Sequence, residues 1–153
     1  MNIRKAKLKD AGKISNLIKQ TLEKVNSKDY SKKQTKILKD GNSVKEIQRK
    51  IKEREVFCIF ENESLVGTAS FYGKNTIGGF FVKHTQIGKG VGKKLLKFIE
   101  NYAKKRSVKK IKLYSTKYAL KFYKNNGYKV RKRYSDKIKR ISFPVILMEK
   151  RLK

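Results

Sequence analysis

Cysteine and proline are scarce in this chain. Cys58 is the only cysteine, so no disulfide can form within the chain. Its position in the apolar run 56–60 predicts a buried thiol rather than a nucleophile. Pro144 is the only proline, and no linker-like segment interrupts the sequence. We therefore expect a single domain over residues 1–153, which is long enough to bury a hydrophobic core.

Long hydrophobic runs are also absent. No apolar stretch approaches the roughly 20 residues that a membrane-spanning helix needs. The first residues, Met1–Lys5, show strand-like alternation and no signal-peptide core. The sequence predicts a cytoplasmic protein without a membrane partner, either a monomer or a homodimer.

Negative charge is the scarcest property. The chain has 12 Asp+Glu against 42 Lys+Arg, which gives a formal net charge of +30. Such a charge favours anionic partners, including nucleic acid, phosphorylated ligands and acidic surfaces. Because the lysines are spread over every segment, a solvated shell without a partner is an equal alternative. The basic segment 129–140 has the same two interpretations, a solvated loop or a dock for an acidic substrate or RNA phosphates.

Hydrophobic periodicity predicts alternating helices and strands. We expect Asp10 to cap the first helix, and Ser43 with Glu46 to form a capping box at a later one. Hydrophobic spacing and helix-start residues predict helices over residues 10–25, 31–39, 43–53, 88–103 and 117–125. Strand patterns are found over residues 3–8, 56–60, 65–72, 77–82, 111–115, 128–134 and 142–149. This order predicts an α+β sheet domain with one βαβ-like crossover through the long helix.

A glycine-rich turn lies between a strand and this long helix. It has the sequence Ile87-Gly88-Lys89-Gly90-Val91-Gly92-Lys93. The first amides of a helix have no intrahelical partner, the helix dipole adds positive charge, and glycine allows close approach, so such a turn can bind phosphate. The turn is neither a P-loop nor a dinucleotide-binding fingerprint, because no Gly-Lys-Ser/Thr ends it and the glycine spacing differs. The alternative is a flexible connection between strand and helix.

Two motifs together resemble those of the GNAT family of N-acetyltransferases. The Gly-Lys-Gly-Val-Gly run at 88–92 is similar to the family's pyrophosphate-binding motif, Q/R-x-x-G-x-G/A. The segment 119–128, Ala-Leu-Lys-Phe-Tyr-Lys-Asn-Asn-Gly-Tyr, is similar to the family's A-x-x-F-Y-x-x-x-G-F/Y. The resemblance covers the whole chain. It implies a mixed α+β fold with a central, mostly antiparallel sheet, flanked by helices and splayed between the fourth and fifth strands.

The resemblance also implies acetyl-CoA as the cosubstrate, an unidentified primary amine as the acceptor, and no metal. By this likeness, the backbone of Phe80–Val82 would pair with the pantetheine arm and the amides of Ile87–Lys93 would hold the pyrophosphate. Tyr123 matches the tyrosine that protonates the departing thiolate in many members, although it could equally be a core aromatic. The implied coenzyme-binding residues are Phe80, Phe81, Val82, Ile87, Gly88, Lys89, Gly90, Val91, Gly92, Lys93 and Thr116.

The chain departs from the family pattern at several positions. Ile87 stands where the first motif usually has Gln or Arg, and Gln86 is one residue early. Thr116 replaces the asparagine that often precedes the second motif. No glutamate stands at 75–77, where many members have their general base, so we name no base. His84, the only histidine, stands where the family often has proline and is either a turn residue or a proton acceptor.

The sequence is also compatible with a second function. The protein could be a basic nucleic-acid- or ribosome-associated module that keeps the fold with weak or no catalysis. Against it, the sequence has no aromatic-interleaved basic motif of the recognised RNA-binding modules. The acceptor of an active enzyme could itself be acidic or associated with nucleic acid.

Overall fold

Seven strands form one continuous sheet in a computed structural model that describes residues 1–153. The strands are β1 (Asn2–Lys5), β2 (Glu55–Glu61), β3 (Ser64–Tyr72), β4 (Thr76–Val82), β5 (Lys110–Ser115), β6 (Lys129–Ile138) and β7 (Ile141–Arg151). The helices are α1 (Ala11–Lys24), α2 (Lys32–Asp40), α3 (Val44–Glu53), α4 (Val91–Lys104) and α5 (Leu120–Asn125). The strands lie in the order β1-β2-β3-β4-β5-β7-β6.

All neighbouring strands are antiparallel except β4 and β5. These two run parallel and are joined through α4, as the predicted crossover requires. They pair at only two positions, Thr76 with Lys112 and Ile77 with Leu113, and then separate. The predicted fold class is therefore confirmed, including the splay between the fourth and fifth strands.

The helices cover the two faces of the sheet unequally. On one face, α4 packs Leu95, Leu96 and Ile99 into the larger core cluster, which extends from β2 to β7. On the other face, α1 and α3 pack on side chains of β2 and β3, among them Cys58. Burial raises the pKa of the Cys58 thiol to about 12, as expected for an inert core cysteine. No helix has the length and apolar character needed to cross a bilayer.

A β-bulge bends β4 just after its last pair with β5. The register between β3 and β4 shifts after Thr68, and Gly79 has a φ of +55°, a left-handed conformation that favours glycine. Beyond the bulge, Phe80 packs against the α4 side of the sheet and Phe81 against the α1 side. The bulge therefore sets the direction of the strand end that forms the site.

The predicted cap at Asp10 is wrong. The residue stands directly before α1, but its carboxylate bonds no amide of that helix. It accepts hydrogen bonds from the Arg4 guanidinium at 2.8 and 3.1 Å and from the Lys7 amide at 2.7 Å. The pKa of Asp10 is lower than usual, mainly because of the hydrogen bond from Arg4. Asp10 thus ties β1 to the start of α1.

The predicted capping box at Ser43 is only half formed. The Ser43 hydroxyl accepts the Glu46 amide at 3.3 Å, but the Glu46 carboxylate pairs with Arg49 at 3.0 Å, one turn along the helix. A reciprocal box forms instead at α2, where Ser31 and Gln34 exchange hydrogen bonds of 2.8 and 3.1 Å. Arg49 accounts for the error, since a nearby cation competes for the carboxylate.

A buried charge ties α4 to the end of the chain. Glu100 is 8% exposed, and its carboxylate accepts a 2.8 Å hydrogen bond from the Tyr128 hydroxyl and 3.1 Å bonds from the Lys150 ammonium. The pKa of Tyr128 is raised, mainly by burial, so this hydroxyl remains a donor at neutral pH. The three side chains hold α4, the segment between α5 and β6, and β7 together.

Replacing Glu100 with alanine should destabilise the protein by about 3 kcal/mol, because the Tyr128 hydroxyl and the Lys150 ammonium would lose their acceptor inside the protein. Urea unfolding followed by circular dichroism measures this change. The control, Glu63→Ala in the exposed β2–β3 turn, should leave the midpoint unchanged. Equal midpoints for the two variants would contradict a structural role for Glu100.

Candidate active site

A cavity of about 570 Å³ occupies the gap between the separated ends of β4 and β5. Its wall is formed by the end of β4, the glycine turn, α5 with the segment before it, and the end of α1. Ten of the twelve predicted site residues line it, namely Phe80, Phe81, Val82, Ile87, Gly88, Gly90, Gly92, Lys93, Thr116 and Tyr123. Lys89 and Val91 do not, because Lys89 is exposed and the Val91 side chain is buried in the core.

The glycine turn presents a row of unpaired amides at the start of α4. Gly88 and Gly90 have φ of +82° and +85°, conformations that a residue with a Cβ adopts only with strain. The first helical hydrogen bond of α4 runs from the Lys94 amide to the Gly90 carbonyl at 3.1 Å. Within the protein, no acceptor binds the amides of Gly88, Gly90, Val91, Gly92 and Lys93. Unpaired amides at a helix N-terminus are suited to bind an anion.

Lys89 differs from its neighbours in this turn. Its amide donates to the Gln86 carbonyl at 3.3 Å, so this predicted phosphate donor is engaged within the protein. Its ammonium, like those of Lys93 and Lys94, is exposed and forms no salt bridge. The turn therefore combines unpaired amides with three mobile positive charges.

Gly92 has a different reason to be glycine. A Cβ at this position would lie 3.2 Å from the Phe122 ring, which is tighter than ordinary van der Waals contact. The absent side chain lets the first turn of α4 approach α5. The two sequence motifs are thus in direct contact across the cavity wall.

The end of β4 directs one backbone amide into the gap. The Lys83 amide donates to the Val66 carbonyl at 2.8 Å, on the β3 side. Backbone groups alternate along a strand, so the N–H and C=O of Val82 point away from β3, towards the cavity. The Thr21 hydroxyl of α1 donates to the Val82 carbonyl at 3.2 Å. The Val82 carbonyl is therefore engaged, and its N–H faces the cavity.

Tyr123 is the only buried tyrosine in the cavity wall. It is 5% exposed, and the rings of Phe80, Phe122 and Tyr128 lie edge-on to it at centroid distances of 5.2 to 6.0 Å. Burial raises its pKa above the usual value, and no protein group accepts a hydrogen bond from it. A hydroxyl of this kind stays protonated at neutral pH and can donate to a group in the cavity.

No carboxylate and no imidazole lines the cavity. His84 lies in a short 3-10 turn outside the wall, and its buried Nδ1 has no hydrogen-bond partner. Thr76 is buried in β4 near the position where the sequence analysis looked for a base. The cavity therefore offers hydrogen-bond donors but no obvious proton acceptor.

Three residues of the wall, Thr21, Val25 and Asn26, come from the end of α1 and the turn after it, and none of them was predicted from the sequence. Thr21 bonds Val82, as described above. Asn26 is 7% exposed, and its carboxamide makes no hydrogen bond with protein groups although it borders the cavity. Nothing in the sequence around Asn26 distinguishes it from a residue in a surface turn, because its place in the wall depends on the long-range packing of α1 against β4.

Known structures share this architecture. The chain is similar to a GCN5-related N-acetyltransferase from Rhodopseudomonas palustris, with a TM-score of 0.93, 20% identity, and coverage of 99% of this chain and 95% of that one. It is also similar to the PaiA N-acetyltransferase from Thermoplasma acidophilum in complex with coenzyme A, with a TM-score of 0.82, 20% identity and 98% coverage of both chains. An aminoglycoside 6'-N-acetyltransferase complexed with coenzyme A gives a TM-score of 0.75 at 17% identity, over 100% of this chain and 98% of that one.

Because the sequence identities are low, the similarity to these solved structures shows the fold alone. No curated protein sequence matches the chain. The family model of the acetyltransferase (GNAT) domain matches residues 26–152, which include the glycine turn, the splayed strands and Tyr123. The chain therefore belongs to the GNAT acetyltransferase family.

Proposed function

We propose that this protein transfers an acetyl group from acetyl-CoA to a primary amine that attacks the thioester directly. The observation that carries the proposal is the set of unpaired amides of Gly88, Gly90, Val91, Gly92 and Lys93. They lie at the start of α4, at the end of the gap between β4 and β5. Membership of the family supports the reaction class. The coenzyme A complexes of two structural neighbours support the choice of donor.

The residues of the gap fit coenzyme A from one end to the other. The unpaired amides and the lysines of the glycine turn suit a diphosphate. Ile87 cannot donate from its side chain, so phosphate binding would depend on the backbone and on Lys89, Lys93 and Lys94. The edge of β4 beyond Ile77 has no strand partner on the β5 side, and we propose that pantetheine amides pair there as an added strand would.

Two donors then act on the charge that develops during transfer. The new C–N bond forms as the amine attacks, and the carbonyl oxygen gains negative charge that the Val82 N–H stabilises. The C–S bond breaks as this intermediate collapses, and the Tyr123 hydroxyl gives its proton to the leaving thiolate. Because burial raises the pKa of Tyr123, this residue is protonated before each turnover and regains its proton from water afterwards.

The attacking amine must lose a proton, and no side chain at the cavity is suited to accept it. We propose that the amine enters in its neutral form and that water carries its proton to the solvent. The same absence of carboxylates disfavours polyamines as acceptors, because a polycation would find no countercharge in the cavity of a chain of net charge +30.

Asn26 is our candidate for orienting the acceptor. Its carboxamide makes no hydrogen bond with protein groups and borders the cavity, so it is free to bind a polar group of a ligand there. Asn26 lies beside Thr21 and Val25 on the α1 side of the gap, whereas the unpaired amides lie on the α4 side. A group bound to Asn26 would therefore approach the thioester from the side away from the diphosphate.

Replacing Gly90 with alanine should weaken coenzyme A binding about tenfold. No atom lies within 4 Å of the added Cβ, so the change acts through the backbone, where φ of +85° costs a residue with a Cβ about 1–2 kcal/mol. Isothermal titration calorimetry with coenzyme A measures the affinity. Gly73→Ala is the matched control, since Gly73 also has positive φ and open space but lies in the β3–β4 turn. Unaltered affinity in the Gly90 variant would exclude the turn as the phosphate site.

Replacing Tyr123 with phenylalanine should lower kcat by about 100-fold, because the thiolate would leave without a positioned acid. The affinity for coenzyme A should change by less than about twofold, because the ring and its aromatic contacts remain. Thiol release from acetyl-CoA with a panel of primary amines gives kcat, and calorimetry gives the affinity. An unchanged kcat would remove Tyr123 from the acid role and leave the coenzyme site intact.

Replacing Asn26 with alanine should raise KM for the accepted amine while kcat stays within about threefold, because the residue orients the acceptor and leaves the thioester donors in place. The control is Asn101→Ala, an exposed asparagine on α4. Steady-state kinetics with the best amine of the panel measure both constants. A fall in kcat at constant KM would contradict a role in acceptor binding.

A further inference from the structure

Half of one sheet face has no helix above it. Helices α1 and α3 lie on one face of the sheet, above β2 and β3. On the same face, β5, β7 and β6 are covered only at one end, where Tyr30 packs edge-on against Phe143 with the ring centroids 5.9 Å apart. Alternation along β7 puts Val145 and Leu147 on the same side as Phe143. Pairing across the strands then defines the open face, which consists of Lys112, Tyr114, Lys132, Tyr134, Val145 and Leu147.

The open face carries two accessible tyrosines beside lysine. Tyr114 is 45% exposed and lies opposite Leu147. Tyr134 lies opposite Val145 on the edge strand, and the Lys132 ammonium is 5.1 Å from the centre of its ring. The rings flank the half-buried aliphatic side chains of β7, so aromatic and apolar surface is continuous from β5 to β6.

The charge around the open face is positive and unpaired. Segment 129–140 holds seven Lys or Arg residues and one acidic residue, Asp136, and none of the seven forms a salt bridge. The strand register places Lys132 on the open face, whereas Arg133 and Lys137 pair with residues of the opposite face. Glu149 lies opposite Lys112 at the border of this face, but its carboxylate pairs with Lys110 at 2.9 Å. An anionic partner would find cations here that no protein group neutralises.

We propose that the open face binds single-stranded nucleic acid, with bases stacked on Tyr114 and Tyr134 and phosphates held by Lys112 and Lys132. Stacking platforms within a positive surface are the usual basis of binding to single strands. A second copy of this chain fits less well, because a symmetric contact would bring the same unpaired cations together. An acidic protein would use the lysines but leave the exposed aromatic rings without a role.

The face adjoins the cavity, because Tyr114 belongs to both. A nucleic-acid strand bound to this face would pass the opening of the cavity on the α1 side of the gap. If the proposed transfer is correct, an amine carried by that nucleic acid would lie near the opening of the cavity. The binding itself does not depend on the transfer, and the experiment below measures binding alone.

The test is fluorescence anisotropy with a labelled oligouridine of about 15 nucleotides, titrated from about 50 to 300 mM KCl. We expect Tyr134→Ala to weaken binding about tenfold and Tyr134→Phe, which keeps the ring, to change it by less than twofold. Lys132→Ala should lower the slope of log K against log salt by about one. Thermal unfolding checks that each variant is folded.

The charge control is Lys45→Ala, which removes an exposed, unpaired lysine from α3, away from the open face. If Lys45→Ala lowers the salt slope as much as Lys132→Ala, or if Tyr134→Ala binds like the native chain, binding is spread over the whole charged surface and the proposal is wrong. A dimer that Tyr134→Ala dissociates in sedimentation, or polyglutamate binding of equal strength, would likewise overturn it. Calorimetry with coenzyme A on these variants should give unchanged affinity, which separates this result from the proposed function.

Discussion

The parting of β4 and β5 is the feature on which the rest of this structure depends. The two parallel strands share only two residue pairs, and the β-bulge at Gly79 turns β4 away from its neighbour. A strand edge without a partner exposes backbone donors and acceptors that need a partner. Here that edge faces a cavity between helices on both faces of the sheet, so a ligand with amide groups can replace the missing strand.

The gap positions two separate sets of donors. Because α4 connects β4 to β5, its N-terminus must lie at the end of the gap, and the unpaired amides of the glycine turn come with it. The second set, the Val82 N–H and the Tyr123 hydroxyl, lies along the gap on strand and helix elements that the core holds rigidly. The cavity has donors on both sides and no acceptor with a negative charge, which suits a reaction in which negative charge develops on oxygen and sulfur.

The sequence predicted which residues line the cavity where the features are local. A glycine turn before a helix and the Phe122-Tyr123 pair before Gly127 are short patterns, and the backbone rules that connect them to structure act over a few residues. The errors arose where side chains compete. Asp10 bonds Arg4 in the neighbouring strand instead of capping α1, and Glu46 bonds Arg49 instead of closing its box.

Longer-range features could not be predicted from the chain order. The Asn26 carboxamide enters the cavity wall only because α1 packs on the end of β4. Tyr114 and Tyr134 are far apart in sequence and come to one face because β7 pairs between their strands. A search of the sequence for interleaved basic and aromatic residues misses this arrangement, since the pattern exists across strands and not along one.

The central claim is that the amides at the start of α4 bind the diphosphate of coenzyme A. Amide nitrogen and proton resonances of the labelled protein, followed during titration with coenzyme A and with pantetheine, test it most directly. We expect coenzyme A to shift the resonances of Gly88, Gly90, Val91, Gly92 and Lys93, and pantetheine, which has no diphosphate, to shift only those of β4. Saturation with coenzyme A while the glycine-turn resonances stay unchanged would contradict the account.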